Sequence, residues 1–266
     1  MGQENINRIF RKAAKENRTA LISYITAGDP GLSRTERLVL TLAENGADIV
    51  ELGVPFSDPL ADGPTIQRAS ERSLKRGTTL QKILATVGKI RKKSRIPLVL
   101  MSYYNPILKM GLDVFAKRSV TAGVDGVIIP DLPPEEAGDW IKSARRAKLA
   151  TIFLIAPTST EERIQKIARA SRGFIYYVSL TGVTGARKDL QQDVRQRMNL
   201  IWRFTKLPIC VGFGISKPEH VRQLAKGAGG VIVGSALVSL IARSHPADLH
   251  KKVGRFIQSL KKETRR

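Results

Sequence analysis

The sequence predicts an α/β protein of the (β/α)8 TIM-barrel class with one extra helix ahead of the barrel. Three observations predict it. Eight short runs rich in β-branched and apolar residues alternate with amphipathic stretches of helical period. Runs such as VIIP at 127–130, TIFLIA at 151–156 and VIVG at 231–234 are continuously apolar, as in parallel strands covered on both faces. The 266 residues contain no Pro/Gly/Ser-rich linker. Eight β-then-α units in about 240 residues suit a closed barrel better than an open doubly wound sheet. One barrel domain over 1–266 is therefore expected, with 1–18 as a helical extension and 262–266 as a basic tail.

Asn5–Asn17 is amphipathic and is expected to cover the barrel floor. Leu21–Ala27 is the first strand, and a helix follows over Ser33–Asn45. Ser33 and Glu36 have the spacing of a capping box, and Asn45-Gly46 suits the helix end. Ile49–Val54 is the second strand; a helix over Leu80–Lys93 leads to the third at Pro97–Tyr103. Gly123 marks another helix end before the strand Gly126–Pro130. Pro134, Glu135 and Glu136 suit the first turn of a helix running to Lys148. Proline lacks an N–H that a first turn leaves unpaired anyway, and acids favour the positive end of the helix dipole. Strands at Thr151–Ala156, Phe174–Ser179, Pro208–Phe213 and Gly230–Gly234 then alternate with helices at Glu161–Ala170, Val194–Thr205, Pro218–Lys226 and Leu249–Lys261.

Composition bounds the function. Hydrophobic residues make up 42%, enough for a globular core. Lys+Arg total 45 against 23 Asp+Glu, a formal net charge of +22, which invites a nucleic-acid reading. The basic groups Arg11/Lys12, Lys75/Arg76, Arg91/Lys92/Lys93, Arg145/Arg146, Lys251/Lys252 and Lys261/Lys262 lie in most of the predicted helices, without interleaved aromatics. They are expected to be solvated outer helix faces, with no specific nucleic-acid partner. The end, Lys261 to Arg266, is expected to fray. No apolar run approaches the roughly 18 residues of a membrane-spanning helix, so no membrane partner is expected. The opening MGQENINRIFRKAAKENR has no apolar signal core. The single Cys210 reads as core; it excludes an internal disulfide framework and fits a reducing, cytoplasmic setting.

In a barrel of this class chemistry sits on loops at the C-terminal ends of the strands. After the second strand comes ELGVPFSDPLADGP, residues 51–64. Glu51 lies inside an apolar strand, where an unpartnered carboxylate is costly to bury. It is either a structural acid or an environment-tuned acid/base. Asp58 and Asp62 both suit turns. Asp62 is the better candidate for chemistry, because its loop follows the strand that carries Glu51. Gly182–Gly185, Gly212–Gly214 and Gly234-Ser235 follow the last three strands. Glycine lets backbone N–H groups approach an anion closely, and a following helix N-terminus adds a favourable dipole, so a phosphate-bearing substrate is expected. His220, His245 and His250 fall in predicted helices or near the end, so no metal site is expected. No lysine lies in or just after strands five or six, which disfavours a Schiff-base aldolase.

YITAGDPG at 24–31, the run at 51–64, MSYYNP at 101–106, PDLP at 130–133, GVTG at 182–185, GFGIS at 212–216 and GSA at 234–236 together resemble the tryptophan synthase α subunits. The resemblance covers nearly the whole chain, and ELGVPFSDPLADGP is highly specific. It implies a lyase of tryptophan biosynthesis that cleaves indole-3-glycerol phosphate to indole and glyceraldehyde 3-phosphate by a retro-aldol step. Glu51 matches the family's acid/base for indole C3 and the glycerol hydroxyl, and Asp62 the carboxylate at the indole N–H. Tyr176 matches a tyrosine close to the substrate. Gly185, Gly214, Gly234 and Ser235 match the phosphate cradle. The polar segment Ala186–Gln192 is long enough to be a mobile lid, with Thr184 at its root able to reach Asp62 on closure. Asp58 and Asn105 match positions facing the family's partner, the β subunit, in an αββα heterotetramer. Pyridoxal phosphate belongs to that partner, so no cofactor is expected in this chain. Leu180 stands where some members carry arginine. A free-standing lyase that releases indole is an alternative. A basic RNA-binding barrel is another, against which the intact Glu51, Asp62 and glycine loops speak.

Overall fold

A computed structural model of the chain describes residues 2–178, 187–212 and 214–266, the side chains of 187–193 excepted. Its strands are β1 (Ala20–Thr26), β2 (Ile49–Gly53), β3 (Leu98–Met101), β4 (Gly126–Ile128), β5 (Ala150–Ile152), β6 (Leu154–Ile155), β7 (Ile175–Val178), β8 (Ile209–Gly212) and β9 (Gly230–Val233). All neighbours pair in parallel, in the order β5-β4-β3-β2-β1-β9-β8-β7-β6. The fifth predicted strand is thus two strands. β5 pairs with β4, and β6 pairs with β7. Side chains still alternate across the break: Ile152 and Leu154 pack inside the barrel, Phe153 and Ile155 outside. The Phe153 carbonyl accepts from the Tyr176 N–H at 3.1 Å. One extended run changes partner midway, so the sheet closes into a barrel through its own chain.

The helices are α1 (Gly2–Lys15), α2 (Leu32–Glu44), α3 (Pro64–Lys75), α4 (Leu80–Arg91), α5 (Tyr104–Met110) and α6 (Leu112–Ala122). They continue with α7 (Gly138–Arg146), α8 (Glu161–Ala170), α9 (Arg187–Trp202), α10 (Pro218–Ala225), α11 (Ser235–Arg243) and α12 (Leu249–Lys262). Asn45 and Gly123 end α2 and α6 as expected. Two helix starts differ. Helix α2 begins at Leu32 after Gly31, and no side chain caps it. The Thr35 hydroxyl instead donates to the Gly31 carbonyl and accepts from the Gly28 N–H, so Ser33 is not the cap. Pro134 to Glu136 form a turn, and α7 starts only at Gly138. Arg187–Gln192, expected as part of a lid, are the first turns of α9. Thr184, Gly185 and Leu180 lie outside the described residues.

Two apolar layers result. One lies between the barrel wall and the helices. The other fills the barrel, where Ile22, Ile49, Val99, Ile152 and Ile232 meet Ile6, Phe10 and Ala13 of α1. Helix α1 thus covers the floor, with Phe10 against Phe174 at 5.8 Å between ring centroids. Gly126 makes room for it: a side-chain carbon there would lie 3.0 Å from Ile152 and 3.1 Å from Ile6.

The C-terminus does not fray. The Thr264 carbonyl accepts from the Thr19 N–H at 2.8 Å, the Arg266 N–H donates to Asn17 at 3.0 Å, and Arg18 bridges to Arg265. The segment ahead of β1 needs partners for its backbone, and the tail supplies them. Most of the basic groups are exposed, as expected, but Arg91 and Lys261 turn inward. Arg91 donates to Asp125 and to the Gly123 carbonyl. One oxygen of buried Asp48 accepts from Arg18 at 2.8 Å, Lys261 at 2.6 Å and the Leu21 N–H at 2.8 Å. Asp48→Ala takes away the acceptor that Arg18 and Lys261 share, leaving Arg18 with Glu16. It is expected to cost about 3 kcal/mol in urea unfolding, the range for breaking a buried ion pair from one side. A loss below about 1 kcal/mol, the range of exposed pairs, would show that the network is solvated.

Candidate active site

Strand alternation positions Glu51. It shares the inward parity of Ile49 on β2, and its register partners are Tyr24 on β1 and Val99 on β3. Its side chain is fully buried, and neither carboxyl oxygen has a hydrogen-bond partner among the described residues. Burial first, and the charge of Asp62 second, push its pKa up to about 8. Near neutral pH Glu51 therefore carries a proton.

Asp62 stands on the loop between β2 and α3. Hydrogen bonds fold that loop back on itself: Leu60 N–H to Asp58 O and Asp62 N–H to Pro59 O, both 3.0 Å. Gly63 and Pro64 then start α3, and Gln67 donates to the Asp62 carbonyl at 2.8 Å. The far end of α3 is pinned by a two-pronged ion pair from Arg72 to buried Asp29, at 3.0 and 2.7 Å. Burial raises the Asp62 pKa to about 6, against a lowering hydrogen bond from Tyr103. Near neutral pH Asp62 is mostly charged.

Both carboxylates line a cavity of about 610 Å³ at the C-terminal end of the barrel. Gly212, Gly214, Gly234 and Ser235 line it too, at and just after the ends of β8 and β9. Gly214 has a φ of +51°, which glycine adopts without strain, and Ser235 is the first residue of α11. Tyr24 and Tyr176 also line the cavity; burial holds both phenols far above the usual tyrosine range, so they stay neutral. Gly53 and Gly212 leave the space these rings occupy.

The family model for the tryptophan synthase alpha chain matches residues 10–265. The chain is 53% identical to the tryptophan synthase alpha chain of Geotalea daltonii over 256 residues, covering 96% of this chain and 97% of that one. It is also 53% identical to that of Geobacter sulfurreducens, covering 95% and 96%. A crystal structure of the alpha subunit from Legionella pneumophila superposes with a TM-score of 0.91 at 40% identity, covering 98% of each chain. The chain belongs to the tryptophan synthase alpha chain family. That family is the lyase that cleaves indole-3-glycerol phosphate in tryptophan biosynthesis, which sets aside the RNA-binding barrel.

Within this alpha chain, six of the expected site residues line the cavity together: Glu51, Asp62, Tyr176, Gly214, Gly234 and Ser235. Asp58 and Asn105 do not line it; both are exposed, on the β2–α3 loop and on α5. Exposed Leu60 and Leu108 lie on the same two elements. Among the described residues no group of three His, Cys, Asp or Glu is placed to hold a metal. No helix there is long and apolar enough to cross a membrane.

Three residues near the site were given no role from sequence. Tyr24 was legible by parity, being inward with Ile22 near the end of β1. Tyr103 was legible by position, just past the end of β3. His220 was not: it lies on α10, and its Nδ1 reaches back to within 3.2 Å of the Gly214 carbonyl and 3.4 Å of the Ser216 N–H.

Glu51 gives this alpha chain a stability that falls with pH. The folded state holds the Glu51 proton up to about pH 8, whereas the unfolded chain releases it near the ordinary 4.5. The resulting penalty is absent at low pH, grows above about 4.5 and levels off above about 8. Glu51→Gln removes it. Its thermal midpoint is expected to exceed that of wild type by several degrees at about pH 9 and by much less at about pH 5. Equal differences at the two pH values would mean that Glu51 ionises in the fold at or below its ordinary range.

Proposed function

We propose that Glu51 and Asp62 divide the retro-aldol chemistry of indole-3-glycerol phosphate cleavage in this chain. The observation that carries the assignment is two carboxyl groups facing one cavity with their pKa values pushed apart, to about 8 and about 6. Separated pairs of this kind assign acid and base. Protonated Glu51 gives its proton to indole C3, which leaves a positive charge on the ring nitrogen. Charged Asp62 accepts a hydrogen bond from that N–H and stabilises the charge. Glu51, now a carboxylate, takes the proton of the glycerol hydroxyl beside ring C3. The C–C bond breaks, its electrons return to the ring, and the hydroxyl carbon becomes the aldehyde of glyceraldehyde 3-phosphate. One proton is given and one taken, so Glu51 ends as it began.

The phosphate is held at the ends of β8 and β9 by the backbone at Gly214 and Gly234 and by Ser235 at the start of α11, where the helix dipole favours an anion. Tyr176 packs beside the substrate. Thr184 and Gly185 enter this scheme through the resemblance alone. The scheme asks no cofactor of this chain; pyridoxal phosphate belongs to the β subunit proposed as its partner in an αββα assembly. We place the reaction in the cytoplasm. The partner is proposed to dock on the rim that exposes Asp58, Leu60, Asn105 and Leu108.

Steady-state indole formation by folded variants tests the division of roles. Glu51→Gln is expected to lose at least about 10²-fold in kcat, the low end for a positioned acid/base, with KM little changed. Gly234→Val is expected mainly to raise KM by obstructing the phosphate. The wild-type rate is expected to be bell-shaped in pH, with limbs near about 6 and about 8 that belong to the coupled pair. A Glu51→Gln chain within about threefold of wild type in kcat lies outside the acid/base range and would sink the assignment.

The partner role has its own test. A β subunit is expected to raise the rate of the chain, and Asp58→Ala to reduce that increase more than the basal rate. Equal losses in the two assays would place Asp58 in the chemistry or the folding. A chain equally fast alone would be a free-standing lyase.

A further inference from the structure

Tyr103 lies one residue past β3, after Ser102, and precedes the first residue of α5. It is buried, with its ring stacked on Phe56 at 4.9 Å between centroids and 22° between planes. Its hydroxyl joins two neighbouring groups of the β2–α3 loop. It accepts from the Ala61 N–H at 2.9 Å and donates to Asp62 Oδ2 at 3.3 Å. A phenol has one proton and two lone pairs, so it fills both roles at once. Burial and the charge of Asp62 keep that proton on Tyr103, well above the usual tyrosine range. Tyr103 itself does not line the cavity. Its backbone is anchored from a third loop, since the Asp131 carboxylate after β4 accepts from the Tyr104 N–H at 2.9 and 3.2 Å.

We propose that Tyr103 is the positioning residue for Asp62, holding one carboxylate oxygen and the preceding peptide so that the other oxygen is presented to the substrate. The proposal rests on the assignment of Asp62 to the indole nitrogen. Without Tyr103 the loop keeps its backbone contacts and the Gln67 bond to the Asp62 carbonyl, but nothing described holds the carboxylate, and an Asp62 free to rotate spends less time facing the ring. The hydrogen bond also favours the charged form of Asp62. The other titratable groups around Asp62 are Glu51 on β2, Tyr24 on β1 and Tyr176 on β7. None of these three hydrogen-bonds to it among the described contacts, so Tyr103 alone of this group lowers its pKa.

The test is indole formation against pH by the full chain, with and without a β subunit. Tyr103→Phe keeps the ring and its stacking. It is expected to lower kcat by about tenfold, the lower end for a hydrogen bond to a charged group, with KM changed less than about threefold. Its acidic limb is expected to move up by about one pH unit. Added to Asp62→Asn, it is expected to cost less than about twofold more, because the two act as one unit. An unmoved acidic limb, or an undiminished loss in the Asp62→Asn background, overturns the proposal. Wild-type activity in Asp62→Asn alone overturns the assignment of Asp62 instead. If Tyr103→Phe does not fold, site-specific 3-fluorotyrosine at 103 decides, being a stronger donor of nearly the same shape. It is expected to move the acidic limb down, and an unmoved limb there counts against the proposal.

Discussion

A carboxyl group sealed in the barrel without a hydrogen-bond partner among the described residues sets the terms for the rest of the molecule. Burying Glu51 charged and unpaired would cost more than a small domain can supply, so it stays protonated. That requires a dry and rigid setting. Strand β2 provides rigidity through parallel pairing on both sides. Dryness comes from below, where α1 packs Ile6 and Phe10 into the barrel floor. A helix that precedes the first strand thereby contributes to the acidity of a group on the second.

The other carboxylate is held in a different way. Asp62 is less buried and belongs to a loop, so its geometry depends on ties to several strand ends. Tyr103 reaches it from the end of β3, Gln67 from α3, and Asp29 grips α3 from the end of β1. Fixing the proposed proton donor on a strand and the proposed charge-stabilising group on a braced loop separates two demands. The donor must not exchange its environment for water, whereas the loop residue must admit the substrate before it closes on the ring.

Much of this was legible in the sequence because burial patterns carry it. A carboxylate inside an apolar strand announces Glu51, and strand-end glycines announce the wall proposed to hold the phosphate. The barrel itself follows from eight apolar runs at regular spacing. What was missed depends on partners that periodicity does not encode. The break at Phe153 comes from a change of pairing partner, while the residue pattern runs on unbroken. Ser33 had the right spacing for a cap, but Thr35 took the turn's hydrogen bonds. The tail reads as polar and charged, and only the unpaired backbone ahead of β1 explains its order. Tyr103 looked like one more aromatic of a motif, since its role lies in a hydroxyl contact across two loops.

The charge distribution follows from the same constraint. The chain carries 45 Lys and Arg, yet none lines the described wall of the cavity, and no histidine does either. A cation beside Glu51 would favour its ionised form, pull its pKa down and remove the proton that the proposed C3 protonation needs. A cation beside Asp62 would compete with the positive ring nitrogen for the same carboxylate. In the proposed scheme the described wall holds the phosphate with groups that bind anions without a full charge: backbone N–H groups freed by glycine, a serine hydroxyl and a helix N-terminus. Such dipoles act at short range and perturb a carboxyl group in the same cavity less than a full cation would. The excess positive charge is left to the outer helix faces, where solvent and salt screen it from the site. In the proposed scheme, uncharged phosphate recognition after β8 and β9 and a protonated Glu51 on β2 serve one requirement, two to three strands apart on the same barrel mouth.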